Sequence, residues 1–273
     1  MDYTIFFATL LYILSTAGYL AFLFLQKNYL HRSGQVILIA GFLIHTGSIC
    51  LDIVHFHHIP AHNLHGTLLI AGWVVVPVFL ALQYRFHMKI LGVCAAPLAA
   101  ATMIAVLLLP QEPSQVKNIF NSAWLILHIL AIFTGEAAFA LACGIGFLYL
   151  AQERAIKTKT PGFFFRRLPS LNLLDATGYA CIVMGFTLLS VGLISGFIYA
   201  ELIWGKFWSW DPKEVWSAIT WCIYAALLHQ RLTMGWRGRK SAIMAIVGFL
   251  AVLFTFFGVN FLLEGHHGVF TRL

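Results

Sequence analysis

Residues 204–221 read WGKFWSWDPKEVWSAITW: five tryptophans in eighteen positions, interrupted by the chain's only Asp-Pro-Lys-Glu run. Asp211 in the N-cap position, Pro212 at N1, where a missing N–H costs nothing, and Glu214 at N3 together spell a helix start. A helix therefore begins just after Trp210, and the polar run separates two apolar spans instead of marking a soluble insertion. Upstream, WGKFWSW alternates aromatic with small or polar residues. This pattern predicts an irregular or interfacial segment in which Trp204, Trp208 and Trp210 share one face, with Trp216 and Trp221 on the first turns of the following span.

Working outward from that boundary, the rest of the chain is lipid-like. It is 273 residues long, 60% hydrophobic, 15% aromatic and only 10% charged, with a mean hydropathy of +0.86, whereas soluble domains carry roughly 25% charged residues. Apolar runs bounded by polar or turn residues predict eight membrane spans, at about 3–25, 34–53, 66–84, 88–109, 122–150, 175–203, 212–231 and 241–263. The expected fold is therefore an all-α polytopic membrane protein of about eight transmembrane helices, organised as a single domain over residues 1–273. The N-terminal run lacks a basic leader and is too long for a signal h-region, so it reads as a retained first span. The longest polar break, AQERAIKTKTPGFFFRRLPSLN, reads as a loop with an interfacial FFF segment.

The net charge of +7 would suggest nucleic acid in a soluble protein; here its sidedness is informative. Thirteen of the seventeen Lys and Arg residues, at 27, 32, 85, 89, 154, 157, 159, 166, 167, 231, 237, 239 and 240, fall in one set of alternate loops, leaving Lys117, Lys206, Lys213 and Arg272 for the other. The positive-inside rule makes the poorer set external, with both termini and the tryptophan segment outside. The five cysteines lie in apolar stretches with no Cys-x-x-Cys pair. They read as buried core thiols, and no c-type haem attachment site is carried by this chain itself.

Several histidines also fall on the external side. His55, His57, His58, His62 and His65 crowd an early outer loop, His266 and His267 lie at the C-terminal end, and His128 lies one or two turns inside the fifth span. The histidine loop exceeds the usual zinc ligand count but has no Cys, and no acidic residue closer than Asp52, so it reads as a solvated loop or an adventitious metal binder. Glu136, eight residues after His128, shares its helical face near mid-membrane and reads either as a ligand-orienting group or as a neutral buried carboxyl. Gly192-x-x-x-Gly196 reads as a helix-packing motif.

An aromatic belt would spread indole over all spans, yet only Trp73, Trp124 and Trp236 lie outside this segment. The concentration points instead to a platform for a large, flat, apolar ligand with ionised edges, whose carboxylates Lys206 or Lys213 would meet. Haem has that shape, and imidazoles are natural axial ligands of its iron.

W204-G-K-F-W208-S-W210-D211-P212-K213-E214-V-W216 resembles the tryptophan-rich WWD signature of the haem-handling membrane proteins of cytochrome c assembly. Its form is most similar to the CcsA-type (ResC-like) subunit of the system II cytochrome c synthetase. H58-I-P-A-H-N-L-H-G-T-L, S122-A-W-L-I-L-H128 and G258-V-N260-F-L-L-E-G-H-H267 resemble further stretches of that subunit. The family's usual Gly-x-Gly-Leu-His run is replaced near the end by Leu-Glu-Gly-His266-His267. The resemblance implies that His128 and, by register, His267 (with His266 beside it as the alternative) ligate haem iron outside, and that His229 is a third ligand in the span after the signature. It implies haem binding by Trp204, Trp208, Trp210, Asp211 and Trp216, and haem b as the ligand. It also implies a CcsB-type (ResB-like) partner subunit and an apocytochrome c presenting Cys-x-x-Cys-His. The implied activity is holocytochrome c synthase as part of that complex, in the bacterial cytoplasmic membrane, with no nucleic acid involved and no catalytic acid or base required.

Spacing agrees with separate roles for these histidines. His229 lies 17 residues beyond Pro212, ~26 Å along a helix, whereas His128 lies ~9 Å from the start of its span. Axial ligands of one iron must meet within a few Å, so His128 and His229 belong to two stations. The competing readings are a b-type electron-transfer cytochrome, which needs paired histidines at equal depth, and a transporter. The latter lacks discontinuous-helix signals beyond Pro77 and Pro97.

Overall fold

The described residues of the computed structural model are 3–56, 58–61, 63–109, 122–159, 162–163 and 166–259. They form eight α-helices and no strand: α1 (Tyr3–Leu25), α2 (Asn28–Phe56), α3 (Leu64–Phe86), α4 (Gly92–Leu108), α5 (Ala123–Lys157), α6 (Leu171–Trp204), α7 (Pro212–Thr233) and α8 (Arg239–Leu253). A 3₁₀ turn, Lys89–Leu91, leads into α4, and a π-helical turn, Phe254–Gly258, continues α8. Helices are the expected solution in lipid, where each backbone polar group needs a partner within its own segment. α3 and α4 run unbroken through Pro77 and Pro97, so neither proline marks a discontinuous helix.

Among the described residues seven of the eight helices are long and apolar enough to cross a membrane: α1 to α3, α4 with its 3₁₀ turn, α5, α6, and α8 with its π turn. The exception is α7, read from the sequence as a span. Its 22 residues suffice in length, at ~33 Å against a ~30 Å hydrocarbon core, but Lys213, Glu214, His229, Gln230 and Arg231 dilute its apolar character. Several bounds also shift. α2 begins at Asn28 instead of 34, and α5 continues past 150 to Lys157 because charged residues can extend a helix beyond the lipid. With 35 and 34 residues, α5 and α6 are each ~50 Å long, some 20 Å more than the hydrocarbon requires.

Two groups of helices pack side by side. α1 lies against α2 and α4, with α3 on α4; α5 lies against α6 and α8, with α7 on α8 and α6; α3 joins the two groups through α5. Among the described residues the α5–α6 contact is the most extensive, and it is close: a Cβ on Gly135 would stand 3.0 Å from the Gly185 carbonyl oxygen and 3.2 Å from the Leu189 nitrogen. Small residues permit such approach, and dispersion plus packing then hold helices that gain nothing from leaving lipid. Phe139 of α5 stacks flat on Tyr224 of α7, centroids 3.6 Å apart, both fully buried.

At the end where α6 begins and α7 finishes, Arg231 donates to both carboxylate oxygens of Asp175, at 3.0 and 2.6 Å. Its guanidinium lies over the Tyr179 ring at 4.3 Å. Asp175 also accepts from the Gly238 amide at 2.7 Å, so one forked pair clamps α6, α7 and the turn into α8. The cysteines depart from their predicted burial: Cys143 and Cys181 are buried, but Cys50 and Cys222 are exposed. An apolar stretch in a membrane protein does not imply an inward-facing side chain, because lipid is as apolar as the core.

Candidate functional site

α6 ends at Trp204 with Gly205 in the left-handed conformation, φ +67°, its amide closing on the Glu201 carbonyl at 2.9 Å. Glycine adopts this conformation without the Cβ penalty. The chain then doubles back along α6, bringing Trp208 against Phe197, centroids 5.7 Å apart, seven residues before the end of the helix. Trp210 also takes a left-handed conformation, φ +58°, which an indole-bearing residue adopts only when its surroundings enforce it. The enforcing structure is the cap that follows.

Asp211, 4% exposed, accepts from the Lys213 amide at 2.9 Å, and the reciprocal capping box with Glu214 is complete. Glu214 does more than the sequence pattern requires. Its Oε2 accepts from the amides of Ser209 (2.9 Å) and Asp211 (3.3 Å), and its Oε1 from the Ser209 hydroxyl (3.0 Å). One carboxylate thus pins both the helix start and the loop leading to it.

The five tryptophans have four destinations, Trp208 and Trp210 sharing one. Trp204, edge-on to Tyr199 at 6.4 Å, faces a cavity between α5 and α6. Trp208 and Trp210 meet each other edge-to-face at 5.6 Å and border an apolar groove along α7 with Ala218 and Cys222. Trp216 packs on Phe254 of the π turn, 4.4 Å away. Trp221 donates its indole N–H to Ser190 Oγ of α6 at 2.8 Å. The common face expected for Trp204, Trp208 and Trp210 is absent, because the reversal after Gly205 and the left-handed Trp210 break the two-residue alternation on which it rested.

The cavity has a volume of about 170 Å3, room for on the order of ten waters. Its apolar walls include Leu125, Ile129, Ile132, Phe133, Leu193 and Phe197, and its polar lining includes His128, Glu136, Lys213, Glu214, Ser217 and Thr255. Ala61 and Thr67, either side of the helix start at Leu64, also reach it, so the early histidine-rich loop abuts this site. His128 is seated by α6. Its Nδ1 lies 2.7 Å from the Gly192 carbonyl oxygen. A carbonyl only accepts, so Nδ1 carries the proton and Nε2 carries the lone pair, the tautomer of an imidazole prepared to bind a metal. Gly196 makes the room: a Cβ there would stand 2.7 Å from Nδ1 and 2.8 Å from Cε1. The Gly192-x-x-x-Gly196 motif therefore packs helices and also builds the histidine's seat. The sequence signal was present, but its register against His128 emerges only when α5 and α6 are paired.

His229 is exposed on α7, 17 positions beyond Pro212, and does not line the cavity. His128 and His229 are not brought together. His266 and His267 lie outside the described residues. Among the described residues no group of three or more His, Cys, Asp or Glu side chains is arranged to hold a bare metal ion, including the described members of the histidine loop. The cavity offers one imidazole, apolar sides and charged groups at its rim, the chemistry that one edge of a planar macrocycle would meet.

A helical bundle with span-length apolar helices and an imidazole held by a backbone carbonyl in a cavity beside a tryptophan-rich helix junction defines a class of multi-pass membrane protein. The chain belongs to the cytochrome c assembly protein family, whose sequence profile matches residues 61–267, and within it to the CcsA type. It is 33% identical to the cytochrome c biogenesis protein CcsA of Mesostigma viride, over 97% of this chain and 95% of that one. It is 30% identical to CcsA of Gloeobacter violaceus (strain ATCC 29082 / PCC 7421), over 95% and 91%. Its fold is similar to that of a solved cytochrome c haem lyase CcmF, with a TM-score of 0.64 at 16% identity, covering 98% of this chain and 47% of the other. That likeness concerns the fold alone.

Proposed function

We propose that the protein acts in cytochrome c maturation by holding haem b, as a substrate, at the His128 cavity and presenting it to apocytochrome c. The observation that carries this reading is the hydrogen bond from His128 Nδ1 to the Gly192 carbonyl, which fixes the ring in the Nδ1–H tautomer that metal-binding histidines commonly adopt. Family membership and the similarity to CcsA proteins support the setting. His267 is the proposed second axial ligand outside, and His229 the ligand of a second station nearer the cytoplasm. Trp204 walls the cavity, Asp211 fixes the helix start that carries Lys213 into it, and Trp208, Trp210 and Trp216 complete the aromatic junction around it.

In this reading the residues do three things: His128 grips and orients, the apolar walls limit water, and the capped junction keeps the ligand's edge accessible from outside. The bond chemistry is addition of the two thiols of a Cys-x-x-Cys-His segment across the vinyl groups of ferrous haem, each S–C bond forming as the thiol hydrogen passes to the neighbouring carbon. Because haem and thiol supply the reacting atoms, the protein's contribution is orientation and electrostatics. A CcsB-type subunit is the proposed partner, the bacterial cytoplasmic membrane the proposed location, and the side bearing residues 204–216 the proposed outer face.

The test is co-expression with a CcsB-type subunit and a reporter apocytochrome in cells lacking any other assembly system, scored by covalent haem on the reporter. Holocytochrome should form with the wild-type chain and fall by at least tenfold with His128→Ala, in keeping with loss of an axial ligand. Haem binding without any covalent product in the complete system would indicate a redox cytochrome and reject the proposal.

A further inference from the structure

Where α1 finishes and α2 and α4 begin, the bundle end carries cations without carboxylates. Residues 26–36 and 84–92, which make the two turns there, contain Lys27, Arg32, Arg85 and Lys89 and no Asp or Glu. The loop from α5 to α6 reaches the same corner. Arg167 donates to the Phe24 carbonyl at 3.2 Å and lies 4.2 Å from the centroid of the Phe163 ring, itself 5.0 Å from Phe24. The two carboxylates at this end are spent on the other half of the bundle: Glu153 on Lys157 and Arg239, Asp175 on Arg231. Among the described residues no ion pair reaches Lys27, Arg32, Arg85, Lys89 or Arg167.

Three of these cations are gathered by the fold. Lys89 Nζ donates to Asn28 Oδ1 at 2.9 Å, which ties the α3–α4 turn to the start of α2. Arg32 stands one turn beyond Asn28 on the same helix face, and a helical side chain leans back toward the N-terminus, so Arg32 and Lys89 flank one residue. The charges of both act on buried His31. Lys27 immediately precedes Asn28 and is exposed. The first turns of α2 and of the 3₁₀ segment leading into α4 hold no acidic residue, so their amides add partial positive charge. Beneath them Tyr19 is fully buried; a Cβ on Gly92, the first residue of α4, would collide with its ring, and its hydroxyl has no partner. Like charges drawn together repel, and an anion relieves them.

We propose that this corner binds the phosphate of an anionic phospholipid, with Lys27, Arg32 and Lys89 as its donors. The surroundings favour a lipid over a free ion. Phe24, Leu25, Tyr29 and Tyr84 are exposed around the same turns, and α1, α2 and α3 are span-length apolar helices along which acyl chains can lie. A basic pocket between helix ends is the kind of surface that holds such headgroups. The bound lipid fastens the α1–α2 turn to the α3–α4 turn, a junction that the Lys89–Asn28 bond alone secures only at one point.

The test titrates the full-length protein, purified in a neutral detergent, with tail-labelled phosphatidylglycerol and with phosphatidylcholine of the same chains and label. The wild-type chain should bind the anionic lipid about a hundredfold more tightly at low salt, each of three cations contributing about fivefold. Combining Lys27→Gln, Arg32→Gln and Lys89→Gln should abolish that preference. Combining Lys157→Gln, Arg239→Gln and Lys240→Gln removes the same charge from the other half and should leave the preference within about twofold, because exposed charges act over a short range. No preference in the wild-type chain, or equal loss in the two triple variants, would overturn the site. Millimolar inorganic phosphate should leave the lipid bound; its displacement would make the ligand a soluble phosphate and overturn the lipid assignment. Should the first triple variant fail to fold, Lys27→Gln alone, outside any helix, should weaken phosphatidylglycerol binding about fivefold, and an unchanged affinity would reject the proposal.

Discussion

Gly196 illustrates how a residue with no side chain can set the chemistry of another. An Ala methyl at this position would occupy space 2.7 Å from Nδ1 of His128, and the methyl's neighbour is a ring held by a hydrogen bond instead of a flexible chain end. Overpacking of this kind costs about 1–3 kcal/mol, and rotating the ring away would sacrifice the bond to Gly192, worth ~1 kcal/mol. Gly196→Ala should therefore lower holocytochrome formation nearly as far as His128→Ala, and shift the haem absorption spectrum, while the protein still accumulates in the membrane. Gly47, on α2, is a suitable control because a Cβ there meets nothing within 4 Å. Gly47→Ala should be neutral or gain up to about 1 kcal/mol of helix stability. Reporter yield and spectra measured side by side would reject the seat if both alanines behave alike. His128 itself was apparent from the sequence as an intramembrane histidine, but its tautomer was not, because that depends on a carbonyl 64 positions away.

At the scale of elements, the junction between α6 and α7 is held at one end by Glu214 and at the other by Arg231. Glu214→Ala would leave the Ser209 and Asp211 amides without their side-chain acceptor, at a cost of about 1–3 kcal/mol each where water cannot reach. The expected result is increased protease cleavage within 205–211 and a red-shifted tryptophan emission, with the α6–α7–α8 clamp unaffected. Arg231→Ala should have the converse effect. Stripping the paired cation from Asp175 costs on the order of 3 kcal/mol and should lower the melting temperature while residues 205–211 stay protected. If either variant affected both ends equally, the two fastenings would not be independent. The cap was legible in Asp211-Pro212-Lys213-Glu214 because capping boxes are local, and the helices were legible because their length and apolar content are imposed by lipid. The arrangement of the tryptophans was not legible: it depends on a chain reversal at Gly205 and on the left-handed Trp210, neither of which alternation encodes. Glu136 and Lys213, 77 positions apart in the sequence, likewise reach one cavity only through the packing of α7 beside α5 and α6.

At the scale of the whole molecule, sidedness turns on α7. The other helices identified as spans are apolar enough to cross on composition alone. α7 bears charges at both ends and an exposed histidine in its last turns. Its crossing is nonetheless physically reasonable: Lys213 turns into the cavity that Glu136 also lines and Arg231 is paired with Asp175, so neither cation is presented bare to lipid, and charges near helix ends are tolerated where isolated ones at the centre are not. The lysine and arginine distribution points the same way, because a crossing α7 puts Lys206 and the cluster Arg237, Arg239 and Lys240 on opposite sides. Cysteine placed at either end offers a direct measurement. In a background with the native cysteines changed to serine, Lys206→Cys should react with a membrane-impermeant maleimide in intact cells. Lys240→Cys should react only after the membrane is permeabilised. Labelling of both positions from the same side would mean that α7 lies along the membrane instead of through it. The proposed His229 station would then be on the same side as the His128 cavity, and the proposed passage of a ligand from one to the other would no longer carry it across the bilayer.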